Sequence, residues 1–202
     1  MDLDVIDTLA GLAPNSPLAL IRDQKPVTRE QAQASYRALF EPAEPGEVTR
    51  QERLAVATFV AGLHALPEAN EFYSASLART KPAEIFVAAL SAEIARGRAR
   101  GPYGAYPAGP LSTEDVAGPV YAVVEPERAA LGERLTAALE HAHMLVFHPR
   151  DADAAALQKL LDAGWSGTAI VTLSQLVAFL AFQIRAGAGL RALAAAQSPG
   201  RH

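Results

Sequence analysis

A chain of 202 residues, half of them hydrophobic, is long enough for one domain with a sizeable buried core. Its formal net charge of −4 argues against non-specific nucleic-acid binding, which needs Lys and Arg massed against phosphates. The absence of any cysteine excludes disulfides, zinc–thiolate sites and iron–sulfur ligation. The opening stretch MDLDVIDTLAGLAP is acidic. It has neither the positive n-region of a signal peptide nor the Arg-rich composition of a transit peptide, so a cytoplasmic protein is expected.

Helical signals dominate in chain order. Residues 3–12 read as a short amphipathic piece ended by Gly11 and Pro14. Thr28, with Glu30 nearby, reads as the cap of a helix carrying Ala32, Tyr36, Leu39 and Phe40 on one side; Pro42, Pro45 and Gly46 end it. Thr49 caps the next helix. Its stretch from Leu54 to Leu63 holds no charged residue, and a helix apolar around most of its circumference belongs at the centre of a fold. Pro67 opens the following helix in the pre-organised first-turn position, running to about Arg79. Pro82 opens another, through Ile85, Phe86, Leu90 and Ile94, ending near Gly97.

Residues 97–120, GRARGPYGAYPAGPLSTEDVAGPV, are dense in Gly and Pro and too long for a simple connection. A lid, an arm over a partner subunit, or disorder would account for them; the apolar and aromatic content argues against disorder. Tyr103, Tyr106 and Leu111 are expected at a subunit interface. The basic cluster Arg96–Arg100 reads as a solvated helix end complementing the helix dipole rather than an anion site. Val120–Val124 alone reads as extended, and one strand cannot make a sheet.

Helices resume at Pro126, with Leu131, Leu135, Leu139 and Met144 at helical spacing until Pro149. Residues 153–163 form a short helix ended by Gly164. Ser166 or Thr168 caps the last long helix, through Ile170, Leu173, Leu176, Val177, Leu180 and Ile184. The uncharged run Thr168–Ile184 is slightly short for a membrane span and carries several Thr, Ser and Gln residues, so a buried helix is expected and a membrane is not. The segments TRQERLAVATFVAGLHAL and SGTAIVTLSQLVAFLAFQI echo each other, either as a pseudo-repeat or as the shared look of two buried helices. The fold class is all-α in one domain, 1–202, with a core of about 28–95 and 125–190 and an arm at 97–120.

Two stretches carry a resemblance. In VTRQERLAVATFVAGLHALPEANEFYSASL, residues 48–77, a polar cap, a long apolar helix and a short break lead into the next helix. In LLDAGWSGTAIVTLSQLVAFLAFQIRAG, the turn Ala163–Ser166 precedes Ile170–Val171 and a helix reaching Phe182, Gln183 and Arg185. The chain resembles the alkylhydroperoxidase D / carboxymuconolactone decarboxylase (CMD) family over roughly residues 28–95 and 130–190, and is closest to its cysteine-free, peroxidase-related branch. The resemblance implies an alkylhydroperoxidase D-like helical bundle and a homo-oligomer. In that family a low-pKa thiolate attacks peroxide, a second thiol resolves the sulfenic acid, and a Glu and a His relay protons. Carried over by position, the two sulfurs fall on Leu66 and Ala69, the His on Tyr73 and the Glu on Leu54, with Glu52 close by. Every reactive position is replaced, so the resemblance implies the fold and not thiol peroxidase activity. No cofactor is expected. The function that follows is a non-thiol binding or assembly role, in a homo-oligomer or beside a cysteine-bearing homologue.

The decarboxylase branch offers an alternative, a non-thiol enzyme needing a proton donor or acceptor. His64, Glu68, Glu71 and Tyr73 are the candidates near the break, although His64 also suits a histidine capping helix carbonyls. A second group is His141, His143 and His148. Glu140 and His143 have the E-x-x-H spacing of di-iron bundles, but no second such pair accompanies them, so an ordinary polar face is expected and no metal. His141 and His143 diverge by about 200° around a helix. GPYGAYPAGP lacks the strand–turn–helix context of a phosphate loop, and there is no G-x-S-x-G elbow.

Overall fold

The computed structural model describes residues 4–197, and among these the chain is all-α. The helices are α1 (Val5–Ala10), α2 (Pro17–Asp23), α3 (Pro26–Phe40), α4 (Arg50–Leu63), α5 (Pro67–Ala78), α6 (Glu84–Gly97), α7 (Glu127–Leu131), α8 (Glu133–Phe147), α9 (Ala154–Asp162) and α10 (Gly167–Gln197). The extended backbone contributes one isolated antiparallel bridge, Gly104 to Val116. Residue 3, where the first helix was expected to begin, lies outside the described residues, as do 198–202.

Helix α4 is the centre. Every residue from Arg53 to Leu63 is buried, and α5, α6, α8 and α10 pack around it. Its start is fixed by a capping box. The Thr49 hydroxyl accepts from the Glu52 amide at 3.2 Å, and the Glu52 carboxylate accepts from the Thr49 amide at 2.7 Å. Glu52 also receives the Arg134 Nε at 2.7 Å, which ties α8 to this end of α4. Close packing on α6 depends on Gly62, where a Cβ would collide with the Ile94 side chain.

One buried cation closes the loop before α4. Arg53 is 5 % exposed and donates to three carbonyls, Val48 at 3.0 Å, Leu39 at 2.9 Å and Pro45 at 2.9 Å. The Pro- and Gly-rich segment between α3 and α4 therefore folds around a guanidinium whose fixed fork reaches all three acceptors.

Helix α10 lays Ile170, Leu173, Leu176, Val177, Leu180 and Ile184 into the core against α1, α4 and α8. By length and composition it is the one helix among the described residues that could cross a membrane, but this face is occupied by the protein's own core. Of the two expected caps it is Ser166 that acts, accepting from the Ala169 amide at 3.2 Å. Trp165, 2 % exposed, donates from Nε1 to the Arg134 carbonyl at 2.8 Å and lies under the Arg134 guanidinium.

Several expectations need correction. Helix α2 was not expected; Ser16 caps it and Pro17 opens it. Helix α3 begins at Pro26, not after Thr28, because proline at the first turn sets φ in advance and makes a side-chain cap dispensable. The single helix expected from Pro126 to Pro149 is two, parted at Gly132, whose φ of +80° leaves the helical region. Residues 97–120 are anchored to their own chain at Tyr103 and Tyr106, while Leu111, Val116 and Val120 stand exposed. Tyr103 is 3 % exposed, donates from its amide to the Phe147 carbonyl at 2.9 Å and stacks on His148 at 4.7 Å. A Cβ at Gly118 would strike the Tyr103 ring. Tyr106 lies against the Arg150 guanidinium, and Leu111 alone of the three expected anchors is exposed. Tyr103 is thus satisfied within its own chain, while Leu111 keeps an exposed side chain in the same segment.

Replacing Arg53 with Met should leave three carbonyls without their donor and lower the unfolding free energy by about 3 kcal/mol. Equilibrium urea unfolding checks this; an unchanged midpoint would show that the three bonds add nothing net.

Candidate functional site

The α4–α5 corner holds the positions where the resemblance places reactive groups. His64 ends α4, Ala65 takes a left-handed φ of +52°, Leu66 is the N-cap of α5 and Pro67 its first residue. From this corner the candidate side chains diverge into three environments.

The first is the sealed interior. Leu54, Ala69 and Tyr73 are all buried, Leu54 in the first turns of α4 and the others on α5. The Tyr73 hydroxyl donates to the Gln183 Oε1 of α10 at 2.6 Å, and its ring meets Phe40 at 5.3 Å and Phe72 edge-on at 5.1 Å. Burial, with Tyr36 adding to it, pushes the Tyr73 phenol well above its usual value, against the smaller opposing effect of Gln183. Such a phenol neither accepts nor releases a proton near neutral pH.

The second is a cleft of about 420 Å³ on the α6 side, lined by Leu66, Pro67, Asn70, Glu71, Ser74 and Arg98 among others. Leu66 reaches it while Ala69, one helical turn on, does not.

The third is the junction of the corner with α1 and α10. Glu68 forms an ion pair with Arg191, which also donates to the Leu9 carbonyl at 3.1 Å. The second Glu68 carboxylate oxygen, the Arg191 Nε and the His64 Nε2 are buried without a hydrogen-bond partner among the described residues. Burial lowers the His64 pKa and the charge of Arg185 lowers it further. The expected side-chain cap is absent: His64 caps α4 through its backbone amide, which donates to Val60 at 3.0 Å.

A second polar cluster was not anticipated. Glu93, 1 % exposed, accepts from the Tyr121 hydroxyl at 2.6 Å and pairs with Arg96. Arg96 also donates to the Ala122 carbonyl at 2.6 Å and sits over the Tyr121 ring, so it fastens the arm's exit and is not merely a solvated helix end. Tyr121 stacks on His143 at 4.4 Å, and the His143 Nε2 meets the Gly97 carbonyl at 2.9 Å. That contact makes Nε2 the protonated nitrogen of the neutral ring. Burial, helped by His148 and Arg96 and opposed by the Gly97 carbonyl, pushes His143 down to about 4.

The E-x-x-H pair does not converge. Glu140 accepts from the Val123 amide and from Arg128, both at 3.0 Å, while His143 serves Gly97. His141 contacts Ser174 at 3.4 Å and burial lowers its pKa. Among the described residues no group of three or more His, Cys, Asp or Glu side chains is placed to hold a metal.

His143 makes stability depend on pH. Its native pKa lies below the ordinary 6.5, so between 6.5 and about 4 the unfolded chain binds a proton that the native chain does not. Its neutral ring costs nothing above pH 6.5, and a penalty builds as pH falls toward 4. In a histidine-selective NMR titration the His143 ring should hold its neutral shifts between pH 7 and pH 5; a midpoint near 6.5 would contradict this.

Comparison with protein-family models, with curated proteins and with solved structures finds no match, so the functional reading stands on the residues of this chain.

Proposed function

We propose that this chain is a peroxidase-related member of the CMD family, with an alkylhydroperoxidase D-like bundle, that has lost thiol chemistry and serves as a binding or assembly protein. The observation that carries this reading is the burial of the resolving-thiol and proton-relay positions, with only Leu66 left at the cleft. Ala69 is fully buried, and Tyr73 stands where the proton-relay histidine would be, held by Gln183 inside the core. A reactive pair needs an attacking sulfur that peroxide can reach and a base beside it. Here there is no sulfur nucleophile, and the nearest phenol is locked neutral. A homo-oligomer in the cytoplasm, free of nucleic acid and membrane, is the setting we assign, with a cysteine-bearing homologue as the partner able to supply the missing chemistry.

A second reading, a CMD-type decarboxylase or other non-thiol enzyme, draws support from His64. Its Nε2 has no partner, and burial keeps the ring neutral and therefore able to accept a proton. The His141 and His143 group supports it less, because His143 already serves Gly97.

The purified protein should not turn over an alkyl hydroperoxide with a dithiol reductant above a heat-killed control. Turnover would overturn the first reading. Decarboxylation of carboxymuconolactone that disappears in His64→Gln would favour the second. The positional match has its own check. Leu66 at the N-cap and Ala69 one turn on should, as the double variant Leu66→Cys with Ala69→Cys, form a disulfide under mild oxidation. A folded double variant that stays reduced would count against the match.

A further inference from the structure

On the face of α10 away from α4, a groove of about 400 Å³ runs between this helix and the layer formed by α1, α2 and α3. Its floor on α10 is Phe182, Ala186, Gly189 and Leu190, which recur at helical spacing and so share one face. Ile6 and Ile21 form the opposite wall. Phe182 is 48 % exposed and Ile21 52 %, so large apolar side chains stand open to solvent here. The small residues Ala186 and Gly189 leave the space between them, and a Cβ at Gly189 would meet nothing within 4 Å.

The charged residues lining the groove are all cations, with carboxylates just outside it. Arg22, Lys25, Arg29 and Arg185 line the groove, and no Asp or Glu does. Two of these cations are neutralised by ion pairs: Arg22 with Asp4 and Asp7, and Arg29 with Asp4, Asp7 and the exposed Asp23. Lys25 and Arg185 form no ion pair among the described residues and are both exposed. Unpaired cations beside an apolar channel, on a chain of net charge −4, complement a ligand with one anionic head and a hydrocarbon body.

We propose that this groove binds a single-chain amphipathic carboxylate of the fatty-acid class, about ten carbons long, a size suited to a small-ligand pocket of this volume. The tail lies along the Phe182–Leu190 stripe and the carboxylate is taken by Lys25 and Arg185. The inference goes beyond the assembly role and is argued from the groove's own lining; of its residues only Arg185 also acts, through its charge, on His64 at the α4–α5 corner.

The test is isothermal titration of the full chain with decanoate, decanol and decyltrimethylammonium, each below its micelle concentration. Decanoate should bind saturably and more tightly than the other two. From octanoate to dodecanoate, affinity should rise by up to about fourfold per methylene buried. Lys25→Glu with Arg185→Glu should weaken decanoate about tenfold or more. Gly189→Leu should block it by filling the channel, with the circular-dichroism melt of each variant showing that it still folds. Decanoate binding no tighter than decanol, or charge reversal without effect, would overturn the proposal. So would binding to phosphatidylglycerol vesicles without saturable decanoate binding, which would assign the surface to a membrane. A dimer that Gly189→Leu disperses, again without decanoate binding, would assign it to a second copy. Peroxide turnover is measured separately, so a failed titration sinks the ligand and leaves the reading of the α4–α5 corner standing.

Discussion

Helix α4 has no face to give to water, and most of the architecture follows from satisfying it. From Leu54 to Leu63 every residue is buried, so the helix uses small or apolar residues there, and only Thr58 carries a polar side chain. That hydroxyl turns back to the Leu54 carbonyl at 2.8 Å. At the exposed start of the helix, Thr49 and Glu52 satisfy two of the unpaired amides reciprocally. The same carboxylate recruits Arg134, and Arg134 in turn covers Trp165 at the entrance to α10. One capping box thus aligns the starts of α4 and α10 and the first turn of α8.

Polar groups inside the fold act as fasteners. The pair Tyr73–Gln183 pins α5 to α10, and the cluster of Glu93, Arg96, Tyr121 and His143 pins the irregular segment between α6 and α7 onto α6 and α8. Tyr103 and His148 repeat the arrangement at the far end of that segment, where Asp151 accepts from the Ala105 amide at 2.9 Å and contacts His148 Nδ1 at 3.0 Å. A long segment whose only regular pieces are a 3-10 turn at Pro110–Glu114 and one bridge is held here by aromatic rings and side-chain hydrogen bonds in place of a ladder. His141 and His143 each use one ring nitrogen and leave Nδ1 buried without a partner among the described residues, and at the α4–α5 corner His64 Nε2 is likewise unpartnered.

What could be read beforehand was what depends on neighbours in sequence. Thr49 three residues before Glu52, the uncharged run to Leu63, Pro67 after a break and Ser166 before an apolar helix are local signals, and each marks a real element. The break at Gly132 was hidden because Leu131 and Leu135 keep helical spacing across it. Whether Tyr103 would be buried by its own chain or by a partner was beyond reach, since the same ring suits either. The Tyr73–Gln183 bond joins residues 110 apart, and the Glu93–Tyr121 bond residues 28 apart, so no spacing rule points to them. E-x-x-H spacing put Glu140 and His143 on one side of α8, but Arg128 and Gly97 drew them to different tasks.

Behind the open cleft that Leu66 lines, the inner side of the α4–α5 corner, with Ala69 and Tyr73, is closed core and does not open to admit a substrate. Native-state hydrogen exchange, followed by NMR at low denaturant, tests this directly. The amides from Val56 to Leu63 and those around Tyr73 should exchange only through global unfolding, with one common free energy and one common denaturant dependence. A lower free energy and a shallow dependence confined to the end of α4 and the first turns of α5 would reveal a local opening at that corner, and would contradict the claim.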